Sequence, residues 1–167
     1  MPILLCAGQL LCEPVYYASA YFPLILAVVI PITLFMMGPR KQSFRDAKNG
    51  VFVQRRKQAY LSALTLVSSA ALSEGLKYVF NVPRPISSID SSPSFPSSHA
   101  SVSFSEARVL KFNRILFVLG LVFAAFVSFG RVYTGFHTWQ DVIAGAILGY
   151  AIGEVVARIG GKYIKIK

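Results

Sequence analysis

The chain has 167 residues, 54% of them hydrophobic and only 14% charged, with a formal net charge of +10. A mean hydropathy of +0.57 and so few charges exclude an ordinary soluble domain, in which about a quarter of residues are charged. Nor does the basic excess read as a nucleic-acid surface, because its distribution follows membrane topology instead.

Residues 14–39 contain no Asp, Glu, Lys, Arg or His. At roughly 20 residues per crossing they predict one transmembrane helix, over 15–37. Ahead of it, "MPILLCAGQLLC" reads as an interfacial or frayed helix start, and Cys6 and Cys12 read as buried thiols. Four more helices are expected at 58–79, 99–113, 115–133 and 139–160. The third, "HASVSFSEARVLKFN", is short and polar. The expected fold is an all-α integral membrane protein, a single-domain bundle of about five transmembrane helices over residues 1–167.

Alternating spans would collect fourteen of the seventeen Lys and Arg on one side: seven in residues 40–57, then Arg108, Lys111, Arg114, Arg158, Lys162, Lys165 and Lys167. The positive-inside rule makes that side cytoplasmic. Lys77, Arg84 and Arg131 remain, all at the outer side. Basic residues are disfavoured there, so these three call for a reason.

The outer side also holds both histidines of the chain. The loop from 81 to 98 carries four prolines and seven serines and cannot be a regular helix. At its end Ser97 and Ser98 precede His99, which opens the next helix. A helix N-terminus offers unpaired N–H groups and a positive dipole end, a ready anion site. In "GRVYTGFHTWQD", His137 and Asp141 stand four residues apart, about one helical turn. An Asp accepting from one imidazole nitrogen leaves the other as a nucleophile or base. Continuing by fours gives Gly145, Gly149 and Gly153, a stripe that allows close helix packing. Among the remaining charges, Glu74 and Lys77 are expected to pair on one helix face. Glu106 and Glu154 are expected to pair with Arg108, Arg114 or Arg158. Asp90 reads as a turn former and Trp139 as part of an interfacial aromatic belt.

Three cations and helix-terminal amides suit a phosphate dianion, with arginine giving bidentate contacts. His137 can then attack phosphorus, Asp141 can orient it, and His99 can serve as general acid and base. A metal site is the rival reading of two histidines and an aspartate, but three cations aimed at the same place oppose a divalent ion, and no metal or other cofactor is expected. A lipid-phosphate binding or transport protein would use the same cations, without needing the acid–base histidine.

These residues resemble the type 2 phosphatidic acid phosphatase family, PAP2. Its first motif is Lys, six residues, then Arg-Pro, matched by Lys77, Arg84 and Pro85 in "KYVFNVPRP". Its second, Pro-Ser-Gly-His, is matched by "PSSH", with Ser98 where glycine is usual. Its third is matched by Arg131, His137 and Asp141, with Gly130 where serine is usual. The resemblance implies metal-independent hydrolysis with His137 as nucleophile, Asp141 as its partner and His99 as acid and base. It implies Lys77, Arg84, Ser97 and Arg131 as phosphate ligands, with the Ser98 backbone N–H beside them. It further implies a membrane lipid phosphate as substrate, with lipid A 1-phosphate and undecaprenyl pyrophosphate preferred over phosphatidylglycerophosphate and phosphatidic acid. The bilayer would be a bacterial inner membrane, with the site facing the periplasm.

Overall fold

The computed structural model describes residues 51–85 and 91–163, with scattered positions between 14 and 32. Cys6, Cys12, Asp90 and most of the expected first span lie outside the described residues. Four helices are defined: α1 (Val51–Phe80), α2 (Ser98–Val109, continued by a 3-10 turn at Leu110–Phe112), α3 (Arg114–Tyr133) and α4 (Trp139–Tyr163). The described residues contain no strand.

Each boundary has a local cause. Asn81 adopts a left-handed conformation, φ 47°, and its N–H donates to the Lys77 carbonyl at 2.8 Å, closing α1 before Pro83 and Pro85. Ser97 caps α2, its hydroxyl accepting from Ala100 N–H. The Asn113 side chain accepts from Ile115 and Leu116 N–H at 3.0 and 3.2 Å to start α3. Thr134 ends α3, and Gly135 turns the chain at φ 75°. Thr138 and Asp141 then form a reciprocal cap on α4. Thr138 N–H donates to Asp141 Oδ2 at 2.8 Å, and Asp141 N–H donates to Thr138 Oγ1 at 3.3 Å.

The five expected spans are met only in part. Among the described residues two helices are long and apolar enough to cross a membrane, 114–133 and 139–160, at mean hydropathies of 2.3 and 1.7. The second expected helix starts earlier than 58, at Val51, and runs for 30 residues. The third differs most. α2 has 12 residues, a rise of about 18 Å against a hydrocarbon core of about 30 Å. Eight of those residues are buried, so α2 is a central strut that packs against α1, α3 and α4.

The polarity of the bundle is inverted. Val118, Leu119, Val122 and Phe126 on α3, with Ile143, Ile147 and Val155 on α4, are exposed, whereas Ser62, Thr65, Ser69, Ser73, Ser101 and Ser105 are fully buried. Large apolar groups outside and small hydroxyls inside suit a lipid-facing bundle, where packing closeness replaces hydrophobic exclusion. The glycine stripe finds its partner here. A Cβ at Gly145, Gly149 or Gly153 would run into the carbonyls of Ser97, Ser101 and Ser105 respectively. α2 and α4 thus meet backbone to backbone along three successive turns.

Glu74 pairs with Lys77, and Glu154 pairs with both Arg108 and Arg158, as expected. Among the described residues Glu106 pairs with no arginine. It lies 5% exposed within the bundle and accepts from the Ser62 hydroxyl. Its side chain turns to Ser62 on α1, whereas Arg108 and Arg158 both meet Glu154.

Candidate functional site

The ends of α1 and α3 and the starts of α2 and α4 meet at one end of the bundle. The eight predicted residues gather there, Lys77 and Ser98 through a shared contact with Glu74. His137 is 2% exposed and Asp141 also 2%. His137 Nδ1 lies 3.5 Å from Asp141 Oδ2, just beyond a formed hydrogen bond, while Thr138 N–H holds that same carboxylate oxygen. The helix starts at Trp139, so His137 precedes its first turn and is set by the turn itself. Its N–H donates to the Arg131 carbonyl at 3.2 Å, as does that of Phe136.

Arg84 reaches across from the loop after α1. Its Nε and Nη2 donate to the carbonyl and hydroxyl of Ser92 at 3.0 and 2.8 Å, and its Nη1 donates to the Phe136 carbonyl at 3.3 Å. The Phe136 ring takes both guanidiniums, with Arg131 at 4.5 Å and Arg84 at 5.8 Å from its centroid. Both arginines are buried, at 4% and 9% exposure. Ser97 joins the two helix starts through its N–H, which donates to the Asp141 carbonyl at 3.0 Å. His99 stands within electrostatic reach of Arg131, His137 and Lys77, with its ring toward the Ala20 backbone.

Lys77 and Ser98 both converge on Glu74. Lys77 Nζ donates to Glu74 Oε1 at 2.8 Å and Ser98 Oγ donates to the same oxygen at 2.6 Å. Lys77 is buried, whereas the Glu74 side chain is half exposed.

Burial pushes the His137 imidazole down to about 4; Arg131 and Arg84 add to that and Asp141 opposes it. The ring is therefore neutral near pH 7. Among the described residues no three His, Cys, Asp or Glu side chains are placed to hold a metal ion.

Four features escaped the sequence reading. The Thr138–Asp141 cap was legible as Thr-x-x-Asp before an apolar run. The role of Phe136 between the arginines, the second bond of Glu74 and the approach of the N-terminal segment depend on tertiary contact. At the last of these, a Cβ on Gly130 would come within 2.6 Å of Ser19 Cβ and 3.1 Å of Ser19 Oγ. Glycine at that position admits Ser19, which is fully buried.

A family model described as the PAP2 superfamily matches residues 58–165. The chain belongs to the PAP2 superfamily. An undecaprenyl-diphosphatase of Sulfolobus acidocaldarius is 34% identical over 120 residues, which cover 65% of this chain and 58% of that relative. The PAP2 chain is thus matched to little more than half the length of this relative. Two crystal structures share its fold. One is a transmembrane PAP2 type phosphatidylglycerolphosphate phosphatase from Bacillus subtilis, with TM-score 0.69, 22% identity, and coverage of 99% of this chain and 84% of the other. The second is Aquifex aeolicus LpxE, with TM-score 0.67, 24% identity, and coverage of 94% and 92%.

Proposed function

We propose that this PAP2 chain is an integral membrane phosphatase that dephosphorylates a membrane lipid phosphate or pyrophosphate without a metal, through a phosphohistidine. The observation that carries the reading is the neutral, buried His137 held beside Asp141, with Arg84 and Arg131 converging on the same turn. Nδ1 faces the carboxylate, which leaves Nε2 to attack phosphorus. Burial, with Arg131, His137 and Lys77 nearby, holds His99 down to about 3, so it takes up a proton only as the anionic substrate binds beside it. A new P–N bond forms as the P–O bond to the leaving group breaks, and His99 gives that proton to the departing oxygen. Water then attacks phosphorus, His99 takes its proton, and the P–N bond breaks to release phosphate and restore His137. Lys77, Arg84, Arg131, Ser97 and the Ser98 backbone N–H hold the equatorial oxygens, where charge develops in the transition state.

The preferred substrates are undecaprenyl pyrophosphate and lipid A 1-phosphate. The undecaprenyl-diphosphatase likeness supports the first and the LpxE-like fold is compatible with the second. The site is placed at the periplasmic face of a bacterial inner membrane, on the distribution of basic residues. A lipid-phosphate transporter is the second reading, since it would need the same cations.

The test is inorganic phosphate release by the purified protein from undecaprenyl pyrophosphate, lipid A, phosphatidylglycerophosphate and phosphatidic acid, with EDTA and His137→Ala alongside. Release that survives EDTA and disappears in the variant supports the reading, and the fastest substrate names its class. No release, with binding retained in both proteins, overturns it in favour of transport.

A further inference from the structure

At the end of the bundle remote from His137, α2, α3 and α4 leave a groove of about 690 Å³ between them. Phe104, Leu121, Ile147 and Tyr150 form its walls, and Lys111, Glu154 and Arg158 close its far end. Along α4 the rise from Asp141 to Arg158 is about 25 Å, so the polar end sits near the opposite boundary of a hydrocarbon core about 30 Å thick. From Ile147 to Arg158 the groove runs about 16 Å in the direction of an acyl chain.

Charge among the described residues at the far end is unbalanced. Arg108, Lys111, Arg114 and Arg158 lie at that end, and Glu154, the one carboxylate among the described lining residues, is already shared between Arg108 and Arg158. Lys111 enters no ion pair among the described residues. An apolar channel ending in surplus positive charge fits a ligand with a hydrocarbon tail and an anionic head. A zwitterionic head would bring its own cation against Lys111 and Arg158, which disfavours it.

We propose that this groove is a binding site for an anionic phospholipid of the leaflet opposite the candidate active site. Its acyl chain lies along Ile147 and Tyr150, and its phosphate lies between Lys111 and Arg158. The site is separate from the phosphate site and rests on the membrane embedding proposed above, though not on the hydrolysis.

The full chain would be purified in detergent and titrated with phosphatidylglycerol or phosphatidylcholine, with bound lipid counted by native mass spectrometry. The titration would be run with and without saturating orthovanadate, which would occupy the site at His137. Recovery of the chain in the membrane fraction checks the embedding separately. The expected result is at least a fivefold preference for phosphatidylglycerol that falls to within twofold in Lys111→Ala/Arg158→Ala. A second variant, Ala151→Trp, narrows the groove and should reduce retention of both lipids at unchanged phosphate release. Equal retention of the two lipids, an unchanged preference in the charge variant, or a preference abolished by orthovanadate would each overturn the site.

Discussion

Lys77 donates to Glu74 Oε1 at 2.8 Å, three residues back on α1, and that same oxygen accepts from Ser98. Two groups suited to a phosphate are therefore already held by a carboxylate. In the proposed mechanism an incoming phosphate would displace Glu74 or share Lys77 and Ser98 with it. Glu74→Gln removes the competing charge and keeps the shape. Exposed ion pairs contribute roughly 0.2–1 kcal/mol, so inhibition by orthovanadate should tighten by about 1.4- to fivefold. Weaker inhibition in the variant would mean that Glu74 positions the lysine instead.

His137 has the sign of a buried neutral base. Its imidazole titrates at about 4 in the folded chain against about 6.5 when unfolded. Its contribution to stability is therefore present above pH 6.5 and is lost as pH falls toward about 4, because only the unfolded ring takes a proton readily in that window. For activity, kcat/KM should stay level with respect to this group from pH 7 to 5 and drop about tenfold per unit below 4. A pH profile with an acid limb near 6.5 would show that His137 is not buried in the free protein.

The contact of α2 with α4 makes opposite predictions for two glycines. Gly149→Ala would drive a Cβ into the Ser101 carbonyl, forcing the helices apart at a cost of about 1–3 kcal/mol. Gly75 on α1 has nothing within 4 Å of the equivalent position, so Gly75→Ala should lose no stability. Thermal unfolding in detergent compares the two. Equal melting temperatures would mean the helices do not touch as described.

Gly130 and Ser19 form a size-matched pair. Gly130→Ser restores the usual family residue, yet it should destabilise the chain by about 1–3 kcal/mol because its Cβ meets that of Ser19. Adding Ser19→Gly should recover most of the loss, a coupling of about 0.5–3 kcal/mol in a double-mutant cycle. Additive effects would separate the N-terminal segment from α3.

The sequence spacing was enough to group the site because its parts lie at helix ends. Lys77 is near the last turn of α1, His99 begins α2, Arg131 is near the end of α3 and Asp141 is in the first turn of α4. Chain reversal alone delivers such positions to one face. The glycine stripe was legible too, though not the Ser97, Ser101 and Ser105 backbone that answers it. α2 was counted among the spans although its sequence is short and polar, because it lies between two loops that alternate sides. Its twelve residues, ended by the 3-10 turn, are too few to cross. Glu106 was assigned an arginine partner on proximity in sequence, whereas helix phase turned it toward Ser62.

The seam between α2 and α4 also determines which parts can vary. Backbone contact over three turns, fastened by the bond from Ser97 N–H to the Asp141 carbonyl, leaves no slack between the helix that begins at Ser98 and the one that begins at Trp139. The seam therefore keeps the start of α2, with His99, in register with Asp141, while His137 is set by its bond to the Arg131 carbonyl. On the proposed function, differences in head-group choice are expected on the side of the site that this seam does not form, beginning with α1. A lineage could change its lipid there and leave the reaction untouched.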